Sequence, residues 1–311
     1  MTACSSEDTI GESGNDDNIV FSIDVAETGW QGETASISSR AGETMEGLKA
    51  TTGDVPSGYG YGFSLHGVNL LGAQSVHRQV TWNSSTGQWN SGNRIYWRRT
   101  SGSETFNVYA YAPYKTTDYT YSEVPTFPTT SSPETWNGKI SFTADNANGT
   151  NVDLLYAGAV VKRSDGLAQL TFRHAMAKLS FGTITNSTGE TVTLSSLALS
   201  GSLYPSGDLT IYHNDGTSGG TWSPAAATSQ NYTRNDFDPD TDGNQTLELT
   251  NGEVKSLNIA PFILIPGPTV TITLTFSDGK TYSFTTTLEQ GKDKTYNITV
   301  EKNFEVVIDW S

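Results

Sequence analysis

Cysteine is almost absent: the 311 residues contain one, Cys4. A lone thiol excludes an internal disulfide and any CxxC or Cys/His metal framework. Charged residues are few, at 16%, and basic ones fewer still, with 18 Lys and Arg against 33 Asp and Glu. The net charge of −15 and pI near 4.5 repel phosphate backbones and anionic lipid surfaces, which excludes nucleic acid as a partner. No run of about 18 apolar residues is present, so these residues hold no membrane-spanning helix. The four histidines, His66, His77, His174 and His213, lack HExxH spacing, and neither a GxSxG nucleophile turn nor a GxxxxGKS/T phosphate loop occurs. Carboxylates are many, but sequence pairs no two of them across a cleft, so a glycosidase reading has no support. Neither enzymatic activity nor a cofactor is expected.

What is present is glycine, at 31 residues, with abundant Ser, Thr and Asn. That is the composition of strands joined by polar turns. The length suits two domains of ordinary size, each with its own core. Apolar residues alternate in short runs such as YGFSLHGV, HRQVTWN, ETFNVYAYAPY, KISFTA and DLLYAGAVV in the first half. VTLSSLALSG, SGDLTIY, TVTITLTF and KTYNITV follow in the second. Short strands at this spacing predict an all-β fold of antiparallel sandwiches rather than alternating β and α units. TFSDGKTYSF reads as a hairpin turning near Asp278 and Gly279. The polar break VKRSDG at 161–166 marks the expected boundary. It separates an N-terminal sandwich, 19–164, from a C-terminal one, 165–311, with residues 1–18 as a tether ahead of both.

The two ends carry the strongest patterns. Ile19, Phe21, Ile23 and Val25 alternate along the first strand, and Phe304, Val306, Ile308 and Trp310 along the last. The last strand has three readings: a fixed edge of its own sheet, a strand donated to another chain, or a fixed strand with an available edge. A fixed strand is favoured in the isolated chain, because Trp310 exposed alone is an aggregation hazard. At the start, MTACSSED places Ala3 before Cys4 and runs into an acidic, Ser- and Gly-rich stretch. This resembles the end of a bacterial lipoprotein signal, in which cleavage precedes an acylated cysteine. On that reading Met1 is a cloned or truncated start, Cys4 carries lipid, and the following residues form a flexible tether. The alternative is a disordered terminus with an incidental cysteine.

LTFRHAMAKLSFGTI, ALSGSLYPSGDLTI, PFILIPGPTVTITLTFSDGKTYSFTTTLEQGKDKTYNITV and the closing VVIDW occur in that order between residues 168 and 311. The set resembles the second domain of the fimbrillin family, the pilin-like lipoproteins of Bacteroidales. The resemblance implies two tandem transthyretin-like antiparallel β-sandwich domains. It also implies outer-membrane anchoring by lipid and a fimbrial subunit or adhesin that joins other subunits by β-strand complementation. In stalk subunits it implies removal of the first strand by a trypsin-like protease cutting after Arg. The matching position here is Arg40 before Ala41, in a Gly/Ser loop; an ordinary solvated arginine is the bland alternative. Loss of that strand opens a groove that a neighbour's strand fills.

Three features compete for other roles. Asp238, Asp240 and Asp242 before Gly243 resemble the start of a calcium loop, but position 12 is Leu249. Without the bidentate closing ligand, an acidic surface loop is the stronger reading. His174 sits among alternating apolar residues and is expected to pack or hydrogen-bond inside the second domain. Aromatics at YGYGF, RIYWRR and YAYAPY, with Trp82, Trp89, Trp136 and Trp222, mostly suit cores. If exposed, they would make the chain a non-polymerising surface lipoprotein that binds glycans.

Overall fold

A computed structural model describes residues 22–27, 48–49, 59–69, 75–91, 105–115, 136–144, 148–162, 167–214, 217–237, 246–302 and 306–310. In chain order the strands begin with β1 (Ser22–Glu27), β2 (Tyr59–Gly60), β3 (Phe63–Asn69), β4 (Ser75–Asn83) and β5 (Gln88–Asn90). Then come β6 (Thr105–Ala112), β7 (Tyr114–Lys115), β8 (Trp136–Thr143), β9 (Leu155–Lys162) and β10 (Leu167–His174). The second half holds β11 (Ala177–Ser187), β12 (Val192–Leu203), β13 (Ser206–Asn214), β14 (Thr217–Pro224), β15 (Thr228–Arg234) and β16 (Leu247–Leu249). It closes with β17 (Val254–Ser256), β18 (Phe262–Leu264), β19 (Thr269–Phe276), β20 (Thr281–Thr287), β21 (Asp293–Glu301) and β22 (Val306–Trp310). The protein is all-β, as its composition requires.

Period-two sequence becomes period-two burial. In β19, Val270, Ile272, Leu274 and Phe276 are buried while the threonines between them face outward. The expected hairpin joins β19 to β20. Its turn is closed by a Gly279 N–H donating to the Phe276 carbonyl at 3.0 Å, with Gly279 at φ +85°, where a side chain would strain.

The second half forms a sandwich of two five-stranded sheets. One runs β17-β11-β21-β22, with β18 also on β11, and the other β15-β12-β19-β20, with β16 also on β12. Between them lies one core that includes Leu179, Phe181, Leu197, Leu199, Ile272 and Ile298. Burying such side chains contributes roughly 1.5–3 kcal/mol apiece, which is what holds two sheets face to face.

The first half centres on a seven-stranded sheet, β1-β10-β9-β6-β3-β4-β5, curled so that β1 and β5 approach each other. Both of its faces are covered. Val108 and Ala110 of β6 enter one core with Phe63, Leu65 and Phe172, while Tyr109 and Tyr111 enter another. Burial on both sides explains why VYAYA is apolar throughout.

A three-stranded sheet, β14-β13-β8, supplies the second face. Its β8 comes from the first half and its β13–β14 hairpin from the second; β13 pairs with β8 from Ser206↔Thr143 to His213↔Trp136. This hairpin is an arm that leaves its own sandwich and lays Leu209, Ile211 and Trp222 against Tyr109, Tyr111 and Tyr156. The chain passes from the seven-stranded sheet to the second sandwich at Ala175 and Met176, shortly after the polar break in the sequence, which falls between the neighbouring strands β9 and β10. His174 therefore closes β10 of the first sheet, buried, rather than packing inside the second sandwich as expected.

Candidate assembly edges

The first and last described strands are both edge strands. At the front, β1 pairs in parallel with β10, from Ser22↔Leu167 to Glu27↔Phe172, whereas the other pairings in that sheet are antiparallel. A parallel pairing binds slightly less strongly per residue. Beneath it, Leu170 and Phe172 of β10 are buried, and Phe172 meets Phe63 edge to face at 5.2 Å. Taking β1 away turns β10 into an edge, with unpaired backbone groups beside an apolar core. Ile23 and Val25 belong to β1. Ile19, Phe21, Cys4, Arg40 and Ala41 lie outside the described residues.

At the back, β22 pairs antiparallel with β21, from Tyr296↔Trp310 to Val300↔Val306, and stands at the rim of its sheet. Ile308 packs half-buried on the core, while Val307 points outward, 50% exposed. Val306 and Trp310 are the two ends of this strand, and Phe304 lies outside the described residues.

Between the two ends, buried polar groups pin the crossover. The Ala175 N–H donates to the Leu154 carbonyl at 2.8 Å, and the Trp222 indole N–H from the arm donates to the Ala175 carbonyl at 2.7 Å. From the other side, the Gly291 N–H donates to the Met176 carbonyl at 2.7 Å. The His174 Nδ1 is paired with the Asp153 carboxylate, both side chains buried. Lys178 Nζ lies 2.8 Å from Asp293, which also accepts from the Ser180 hydroxyl at 2.9 Å.

A second set of bonds ties 148–151 of the first half to the second. Arg234 donates to the Asn148 carbonyl at 2.6 Å and to Thr150 Oγ1 at 2.9 Å, with its guanidinium 4.6 Å above the Phe262 ring. Burial lowers its pKa and the charge of Asp236 opposes that shift. Asn151 Nδ2 donates to the Ile263 carbonyl at 2.6 Å. Sequence reasoning missed all of these residues, because each pairs with a group far along the chain and no local spacing records it.

The aromatics lie mostly inside. Tyr109, Tyr111 and Tyr156 are buried, and burial pushes the phenols of all three up from the ordinary tyrosine value. Trp82, Trp89 and Trp222 are half-buried, with Trp82 and Trp89 edge to face at 5.3 Å, and Tyr59, Tyr61, Tyr114, Tyr204, Tyr212 and Tyr282 are half-buried too. The RIYWRR segment lies outside the described residues, as do Asp238, Asp240 and Asp242. Among the described residues no group of three or more His, Cys, Asp or Glu is placed to hold a metal ion, and no helix is long and apolar enough to cross a membrane.

Three solved structures align over most of the chain. A candidate cell adhesion protein from Bacteroides ovatus is 18% identical, covering 94% of this chain and 96% of its own, at a TM-score of 0.45. One from Bacteroides uniformis is 14% identical, covering 80% and 90%, also at 0.45. A fimbrial assembly protein from Parabacteroides distasonis is 11% identical, covering 93% and 99%, at 0.40. No curated protein matches. The model of the fimbrillin-like family matches residues 67–311, which takes in both edges' partner strands, the arm and the crossover, and the chain belongs to that family.

Proposed function

We propose that this protein is a non-enzymatic, surface-anchored fimbrial subunit or adhesin that joins other subunits by β-strand complementation. Its two sandwiches are transthyretin-like domains in tandem. Lipid on Cys4 holds it to the outer membrane, and a trypsin-like protease cuts between Arg40 and Ala41 to release β1. The observation that carries this reading is the placement of β1 as a parallel edge strand over the buried Leu170 and Phe172. A strand in that position can leave without unravelling the rest of the sheet, and the slot it vacates offers backbone partners and an apolar floor to a neighbour's strand. The terminal strand β22, at the rim of its own sheet, is the candidate donor. The reading as a glycan binder that uses exposed aromatics has less support, since the described Trp and Tyr side chains are buried or half-buried.

The test is limited proteolysis with trypsin, with cleavage after Arg40 verified by mass. Cut protein is expected to form oligomers that survive heating, while an Arg40→Ala variant stays monomeric. Verified cleavage with no assembly would count against a polymerising subunit.

A further inference from the structure

Along the four strands β15-β12-β19-β20 the outer face is a lattice of uncharged side chains, mostly hydroxyl groups, with Ala198 among them between Thr273 and Thr233. Thr271, Thr273 and Thr275 of β19 stand opposite Thr285, Ser283 and Thr281 of β20. On its other side, β19 places Thr271 opposite Ser200 and Thr275 opposite Ser196 of β12. One strand further, Ser200 faces Asn231 and Ser202 faces Ser229 of β15. The edge strands β15 and β20 turn these residues to solvent; of those on the two inner strands Ser202 is exposed and the others are half-exposed. No charged residue interrupts the four rows, in a chain of net charge −15. The fifth strand of this sheet, β16, sets the exposed Glu248 opposite Thr193, outside these rows, and the opposing sheet carries the exposed Asp309 and Glu301 on its outer face.

We propose that this face docks a neutral polysaccharide. Strand preference explains the threonines but not the serines and Asn231, since Ser is not a strand former and Asn is depleted in strands. Nor does the face guard itself against other sheets with charge, as exposed edge strands commonly do. Its area is roughly 450 Å², from strands about 4.8 Å apart and same-face residues about 6.8 Å apart along each strand. That is about half of the ~800 Å² per partner found in stable protein complexes. Ser and Thr are also under-represented among the residues that dominate protein–protein binding.

A sugar polymer is the better fit. The strand repeat is close to the length of one pyranose ring, so successive rings laid across the strands meet successive rows. Each hydroxyl both donates and accepts, so Thr273 and Ser283, paired at 2.8 Å, retain capacity for a sugar hydroxyl. Absence of charge leaves no ion pair on the face for salt to screen, which keeps the contact insensitive to salt.

The experiment passes the full chain over immobilised mixed-linkage β-glucan, α-mannan and dextran, with alginate as an anionic counterpart, at low and raised salt. Retention on at least one neutral polymer, unchanged by salt, and none on alginate are expected. Thr273→Glu with Thr285→Glu is expected to weaken retention about tenfold or more. Thr273→Val with Thr285→Val keeps shape and strand preference while removing hydroxyls, and should weaken it by a similar factor. Unaltered melting temperatures establish that both variants fold. No retention on any neutral polymer, or retention by the variants equal to that of the parent, overturns the proposal. A concentration-dependent dimer lost in the variants, without glycan retention, assigns the face to a second copy of the chain and overturns it too. Uncut monomer suffices, so failure of assembly after cleavage at Arg40 leaves this result standing.

Discussion

Lys178 and Asp293 show what a single buried contact does here. Their side chains are 6% and 5% exposed and 2.8 Å apart on the paired strands β11 and β21. Removing the lysine strands a buried carboxylate without its cation, so Lys178→Ala is expected to cost about 3–5 kcal/mol in denaturant unfolding. Lys178→Met with Asp293→Leu, which removes both charges, should cost far less. Steric fit acts at Gly220, where a β-carbon would lie 2.7 Å from the Tyr156 ring. Gly220→Val is expected to lose about 1–3 kcal/mol by the same measurement, through overpacking of the arm against the sheet.

Glu289 supplies the pH test. Hydrogen bonds from Lys292 and then Lys294 hold its pKa down at about 2, against an ordinary 4.5. The folded value is the lower one, so its contribution is complete above pH 4.5 and disappears as the pH falls toward 2. The group is well exposed, so the effect is modest and screened by salt. Glu289→Gln should melt slightly lower than the parent at pH 6 and at the same temperature near pH 2.

At the scale of elements, pattern was legible where one face of a strand is buried. Val270, Ile272, Leu274 and Phe276 announce β19, and Asp278-Gly279 announces its turn, because burial and turn chemistry act within a few residues. Pairing partners were not legible. Nothing in KISFTA records that β8 takes β13 as its neighbour, and nothing in IVFSIDVA records that β1 joins β10 in parallel, since both contacts close long loops. The candidate edges were thus visible as strands, whereas the pinned crossover and the hydroxyl face emerged only with the registers. The edge position of β1 carries its own prediction. Once residues up to Arg40 are cut away, amide exchange should accelerate along β10 and stay unchanged along the inner strand β12.

Across the whole molecule, the arm makes the two halves depend on each other. Leu209 and Ile211 are fully buried against the first half although they descend from the second sandwich. Calorimetry of the uncut protein is therefore expected to show one unfolding transition, since neither half keeps its core when the other unfolds. Leu209→Ala should lower stability by about 2–5 kcal/mol and, by loosening the arm, begin to separate that transition into two.

The crossover has a mechanical corollary. The backbone at Ala175 and Met176 is gripped by a hydrogen bond to the Leu154 carbonyl and one from Trp222 on one side, and by one from Gly291 on the other, so a hinge there would have to break several at once. In the filament proposed above, such a protein would act as a stiff link: flexing under flow would gather at the joints between neighbours, and the link length would stay constant as the filament bends.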